Sequence, residues 1–154
     1  MDHHELAPFL VEAKRETYPQ VGDRPSVLPQ LSGSVQLEYS KERFLYRDIY
    51  FGGRRFVGQE TVYFDGTPVW AMSYAGGMIG STADAGDVYA FLRRALLAVS
   101  QEEPFRGPKE VESQNLRYEN TYQGDLGWFS GQETVCAHGV QVYALRYAGG
   151  HIVP

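Results

Sequence analysis

The sequence predicts an α+β fold: two tandem helix-then-antiparallel-strands repeats sharing one curved sheet, with both helices on one face and a pseudo-twofold axis between them. Three observations carry that expectation. Segments rich in Tyr, Phe, Val and Thr recur between turn signals, the pattern of half-buried strands. Two further segments place apolar residues at helical spacing. The chain also repeats itself. Gln59 to Ile79 reads QETVYFDGTPVWAMSYAGGMI, Gln132 to Ile152 reads QETVCAHGVQVYALRYAGGHI, and 12 of these 21 ungapped positions are identical. Such self-similarity marks a repeated structural unit.

The first helix is expected over residues 4–17, on the stripe Leu6, Phe9, Leu10 and Ala13, with Asp2 as its cap and Pro8 tolerable only near the first turn. Pro19, Gly22 and Pro25 stop it, and the chain up to Gly33 reads as a loop. Strands are expected at 34–39, 43–51, 56–64 and 68–75. The second helix is expected over 84–101, starting near Ser81 or Asp84, with Val88, Phe91, Leu92, Ala95 and Val99 on one face. Pro104, Gly107 and Pro108 end it, and strands at 115–123, 128–137 and 140–148 come next. Asp65-Gly66 reads as a type I′ hairpin turn and His138-Gly139 as its copy. Gly76-Gly77 and Gly149-Gly150 are read as points where the chain leaves a strand. Upstream of the long match, Tyr46, Tyr50 and Gly52 correspond to Tyr118, Tyr122 and Gly124, and Gly58 to Gly131. No linker or low-complexity tract separates the halves. Residues 1–154 therefore read as one domain, with repeat halves of approximately 1–80 and 81–154.

Composition narrows the function classes. The 154 residues are 43% hydrophobic, enough for a core that needs no disulfide or metal staple. The single cysteine, Cys136, allows neither an intrachain disulfide nor a Cys-rich zinc site. A net charge of −5 argues against nucleic-acid binding by this chain on its own, since that draws on a basic face. No apolar run approaches the about 20 residues that span a bilayer, and the N-terminus lacks the regions of a signal peptide. A cytoplasmic protein without membrane contact is the expectation. There is no phosphate-cradling Gly-rich loop, no dinucleotide fingerprint, no nucleophile elbow and no zinc-binding helix motif, so no cofactor or metal is called for.

Repetition sorts the candidate residues. Glu60 and Glu133 recur, each in phase with an apolar neighbour, Val62 or Val135, so each carboxylate points to a partly apolar face. There a carboxyl group has a raised pKa and can serve as general acid or base, or it can simply accept structural hydrogen bonds. Tyr46, Tyr50, Trp70, Tyr118, Tyr122 and Tyr143 form an aromatic set that either lines a ligand pocket or packs as core. Phe44, Met72, Tyr74 and Tyr147 share its faces. Arg54 and Arg55 suit an anion or a solvated loop, and Trp128 and Phe129 suit a contact patch or a sheet-end plug. Cys136 and His138 have too few companions for a metal site, and His3, His4 and His151 lie near the termini.

From Tyr46 to Gly77, and again at Phe105-Arg106-Gly107-Pro108, Tyr118, Gly131-Gln132-Glu133 and Tyr147-Ala148-Gly149-Gly150, the chain resembles an uncharacterised bacterial domain-of-unknown-function family. Its members stand alone or lie C-terminal to Cro/repressor-type helix-turn-helix domains. The resemblance implies a sensory or oligomerising module and transfers no catalytic residue. Three readings are open. The first is a non-enzymatic binding or accessory module for a small molecule or protein partner. Its pocket would lie between the halves along the six aromatics, with Glu60 and Glu133 as polar anchors. The second is a small isomerase or hydrolase using Glu60 or Glu133 as general base. The third is a self-associating scaffold, a homodimer formed through a sheet edge or the Trp128-Phe129 loop.

Overall fold

A computed structural model describes residues 3–22, 24–80 and 82–153, with His3 and His4 described by backbone alone. The expected cap Asp2, the alternative helix start Ser81 and the side chains of His3 and His4 lie outside the described residues. Helix α1 (His3–Glu16) leads into a one-turn helix α2 (Tyr18–Val21). Next come strands β1 (Val35–Lys41), β2 (Phe44–Gly52), β3 (Arg55–Phe64) and β4 (Thr67–Met78). Helix α3 (Ala85–Leu96) precedes β5 (Glu110–Ser113), β6 (Leu116–Asp125), β7 (Trp128–Ala137) and β8 (Val140–His151).

Among the described residues, all eight strands join one sheet in the order β1-β2-β3-β4-β8-β7-β6-β5, every neighbouring pair antiparallel. The last strand of each four-stranded block meets the other at the centre, with Tyr74 opposite Tyr147. The register within the blocks agrees. Gly58 faces Tyr74 as Gly131 faces Tyr147, and a bulge falls after Val62 as another falls after Val135. Both predicted hairpin turns have positive φ at each central residue, 49° and 78° at Asp65 and Gly66, 50° and 77° at His138 and Gly139.

The helical half of the expectation is overturned. About half of the chain is strand and about a fifth helix, so the molecule is one eight-stranded antiparallel sheet with two substantial helices added, not two helix-then-strands repeats laid on one face. The helices dock differently: α1 meets β1 and β2, whereas α3 meets β6 and α2. The cause lies in the segment after each helix. Pro19, read as a stop, instead sits in the first turn of α2, where a missing N–H costs nothing. After α3 no second short helix forms; the chain carries Phe105 into the core and Arg106 beside it.

Other departures are local. The outermost strand of the second block, β5, is short, and the turn at Gln114-Asn115 after it contains no glycine to announce it. Gly76 and Gly77 lie within β4, and Gly149 and Gly150 within β8, so they do not release the chain from a strand. They allow close approach: a Cβ at Gly76 would come within 2.6 Å of the Ala144 carbonyl oxygen, and one at Gly149 within 2.3 Å of that of Ala71.

Both helix stripes are buried as their spacing requires. Leu6, Phe9, Leu10 and Ala13 from α1, and Val88, Phe91, Leu92 and Ala95 from α3, enter one core with Val62, Trp70, Tyr118, Val135 and Tyr143. Asp84 caps α3 by accepting the Asp87 amide at 3.0 Å.

Candidate functional site

The site begins with the pleat of β2. Phe44, Tyr46, Asp48 and Tyr50 alternate inward, so one carboxylate is carried into an aromatic face. The register sets Asp48 directly opposite Glu60 on β3, and Glu60 opposite Met72 on β4. Tyr74 reaches Asp48 because Gly58 lies between them without a side chain. A Cβ there would stand 2.4 Å from the Tyr74 hydroxyl. Across that gap the hydroxyl donates to Asp48 Oδ1 at 2.6 Å. The second block repeats the device, with Gly131 clearing the path for Tyr147 to donate to Asn120 Oδ1 at 2.8 Å.

Two buried cations answer the glutamates. Lys14, the last inward residue of α1 before Thr17, pairs with Glu60, donates to the Phe105 carbonyl at 2.8 Å and lies 5.8 Å from the Trp70 ring centre. Arg106 donates to Glu133 Oε1 at 2.7 Å, and its other terminal nitrogen is 3.8 Å from Glu60. Glu133 also accepts from Tyr118 at 2.8 Å and Tyr143 at 2.9 Å. Tyr118 in turn accepts the Gly107 amide at 3.0 Å, so the segment after α3 is fastened over β6 by the same network.

Above Asp48 opens a cavity of about 110 Å³. Its floor is polar: Lys14, Tyr46, Asp48, Glu60 and Arg106. Its walls come from α2 (Tyr18, Pro19), α3 (Tyr89, Leu92, Leu96), Phe105 and the strand residues Tyr50, Phe56 and Tyr74. Gly52 and Gly53 form an exposed rim. An apolar, aromatic hollow with a few convergent polar groups at one end is the ordinary form of a small-molecule site.

Electrostatics single out one group. Burial pushes the Asp48 carboxyl up to about 7, the neighbouring Glu60 charge adds to the rise, and the Tyr74 hydrogen bond with the Arg106 and Lys14 charges only partly opposes it. Burial also drives Lys14 below its ordinary value, against the pull of Glu60. Tyr46, Tyr74, Tyr118 and Tyr143 are held well above the usual tyrosine value, first by burial and then by the carboxylates beside them. Each therefore stays a neutral hydrogen-bond donor.

The structure divides the residues singled out in the sequence. Tyr46, Tyr50 and Glu60 line the cavity. Trp70, Tyr118, Glu133 and Tyr143 are enclosed in the core below it, Glu133 at 0% exposure with all its donors from the protein. Tyr122 is outside the cavity, its ring 4.6 Å from that of Phe105 and its hydroxyl 3.3 Å from Glu103. The hollow lies over strands of the first block, and Tyr89, Leu92, Leu96, Phe105 and Arg106 of the second half complete its lining. Trp128 is 81% exposed while its neighbour Phe129 is buried, so the pair is split between surface and core. Arg54 and Arg55 are exposed, Arg54 donating to the Gly80 carbonyl. Cys136 is a free thiol, and among the described residues no group of three metal-ligating side chains gathers.

Asp48, Lys14 and Arg106 carry chemistry that the sequence reading passed over. Asp48 sits between Tyr46 and Tyr50 at a period of two, as Asn120 sits between Tyr118 and Tyr122, and this alternation was the available signal. Lys14 lies one helical turn after Leu10. Arg106 lies in a loop, where no periodicity applies.

Residues 48–152 match the model of a family described as Domain of unknown function (DUF5680). The chain belongs to that family. The matched span holds Asp48, Glu60, Tyr74, Arg106, Asn120 and Glu133, whereas Lys14 and Tyr46 precede it. No curated protein and no solved structure matches the chain. Among the described residues no helix is long and apolar enough to cross a membrane.

Proposed function

We propose that this chain is a small-molecule binding module whose site is the cavity over Asp48. The observation that supports it is the cavity itself: apolar and aromatic walls over a floor where Asp48 lies beside Glu60 and the two cations that face Glu60. Preorganised polar groups inside an otherwise dry hollow give orientation and selectivity at little entropic cost. A cytoplasmic setting, expected from the sequence, belongs to the same proposal, as do a bacterial setting and a sensory role beside a helix-turn-helix partner, which rest on the family resemblance.

A thermal-shift screen against a metabolite library tests it. Mass action gives about 2.7 kcal/mol of stabilisation at a hundredfold excess over Kd. The shift is expected to vanish in Gly53→Leu, which sets a side chain at the cavity rim where a Cβ meets open space. A library that shifts neither protein, or shifts both alike, contradicts the reading.

A catalytic reading has one observation in its favour, and it concerns Asp48. Glu133 is enclosed by Arg106, Tyr118 and Tyr143, and Glu60 shares the cavity floor ion-paired to Lys14. Asp48, lining the cavity and titrating near neutrality, suits general acid–base work. In that case a ligand found by the screen is converted by the native chain and left unchanged by Asp48→Asn.

A further inference from the structure

The charges at the cavity floor do not balance. Three carboxylates, Asp48, Glu60 and Glu133, share the network with two cations, Lys14 and Arg106. Each cation already faces a carboxylate, and Arg106 Nε stays buried without a hydrogen-bond partner among the described residues. Lys14 binds Glu60 and the Phe105 carbonyl, and Arg106 binds Glu133 and stands beside Glu60. Asp48 alone has no cation of its own. Its Oδ1 accepts from Tyr74, and its other oxygen takes no donor among the described residues. The side chain is nevertheless buried, 5% exposed, and the cavity is the space it borders.

The walls above it are Tyr18, Tyr50, Phe56, Tyr74, Tyr89 and Phe105. Aromatic faces around a buried anion attract a cation twice, through the ring quadrupoles and through the carboxylate. An anionic ligand would meet the Asp48 and Glu60 charges, answered among the lining cations by one unpartnered donor, the buried Arg106 Nε. Volume limits the buried part of the ligand: about 110 Å³ is less than the about 150 Å³ that holds a benzene ring.

Resting on the binding reading above, we infer that the cavity takes the head of a small organic ammonium ion. The ammonium donates to the open oxygen of Asp48, and the aromatic walls enclose its carbon substituents. The second block supplies the control. There Asn120 replaces the aspartate while still accepting from its tyrosine, so Asp48→Asn removes the charge without removing the acceptor.

Three probes of one shape separate the possibilities: isoamylamine, isoamyl alcohol and isovalerate, each titrated by NMR into the full chain and into Asp48→Asn. The amine is expected to shift resonances of the cavity residues, with affinity at least about tenfold above that of the alcohol, and Asp48→Asn is expected to remove about that factor. The groups facing Asp48 are Tyr46 on its own strand, Glu60 on β3, Tyr74 on β4, Lys14 on α1 and Arg106 after α3. Asp48 titrates at about 7, so amine affinity falls by about tenfold per pH unit once Asp48 protonates. Equal affinity for amine and alcohol, preference for isovalerate, or amine binding unchanged in Asp48→Asn overturns the ammonium assignment and leaves the cavity a binding site for another class. Silence from all three probes also overturns the ammonium assignment, and the wider library screen then decides whether the cavity binds anything.

Discussion

In the β1–β4 block, Glu60 depends on a lysine from α1, and Trp70 beside it donates its indole N–H elsewhere, to the Leu126 carbonyl at 3.1 Å. In the β5–β8 block, the equivalent Glu133 has an arginine and two tyrosines, one of them Tyr143 at the position matching Trp70. The same contrast recurs one pair away: Asp48 receives Tyr74 in the first block, and Asn120 receives Tyr147 in the second. Asn120 spends its amide on the Gly107 carbonyl at 3.0 Å and so closes its network. Asp48 has no such outlet, and it lines a cavity, which Asn120 does not. One strand scaffold thus carries a closed, structural polar cluster and an open, charge-unbalanced one. Buried polar groups that are fully satisfied rigidify a core, while an unbalanced group is destabilising and so points to use.

The sharpest way to break this comparison is to remove each glutamate. Glu133→Gln strands Arg106, which cannot shed its proton, and is expected to cost about 3–5 kcal/mol in urea unfolding. Glu60→Gln strands Lys14, which burial already pushes toward neutrality, so its cost is expected to be smaller. Equal losses would mean that the blocks do not differ in this respect.

Asp48→Asn is expected to act with the opposite sign. The folded-state carboxyl titrates near 7 against an ordinary 3.8, so the native state holds this proton more tightly than the unfolded state. Its contribution is favourable in acid, falls as pH rises from about 4 to about 7, and is flat above that. The asparagine variant lacks that slope and should exceed the native chain by about 2–4 kcal/mol at about pH 8, with the gap closing toward about pH 4. Chemical denaturation across that range reads the difference.

Tyr143→Phe removes one of three donors to Glu133 and is expected to cost about 1–2 kcal/mol, measurable as a lower urea midpoint with unchanged slope. Smallest of all is Trp128→Ser. The indole is exposed, so stability should move by less than about 0.5 kcal/mol. Light scattering on the same variant addresses self-association: a native dimer that becomes monomeric would favour the scaffold reading, and an unchanged mass would remove that loop from it.

These contrasts were legible in the sequence to differing depths. Strand positions, both hairpin turns and the helix stripes could be read because a period of two, a period near 3.6 and positive-φ residues are local signals. The docking of α1 and α3 could not, since it depends on α2 and on the path of residues 97–109, where Pro19 and Pro104 read equally as stops. Glu60 and Glu133 stood out because they repeat, yet they proved to be the ion-paired members. Asp48 hid because it differs between the copies by a single atom type, and its consequence emerges only when Lys14 and Arg106 arrive from distant segments.

The titration of Asp48 itself, observed by carboxyl-carbon NMR with Asp48→Asn to assign the signal, tests the account most directly. A midpoint near 7 is the result the unbalanced cluster predicts. A midpoint at an ordinary aspartate value, near 3.8, would show a carboxylate already neutralised or solvated and would contradict it.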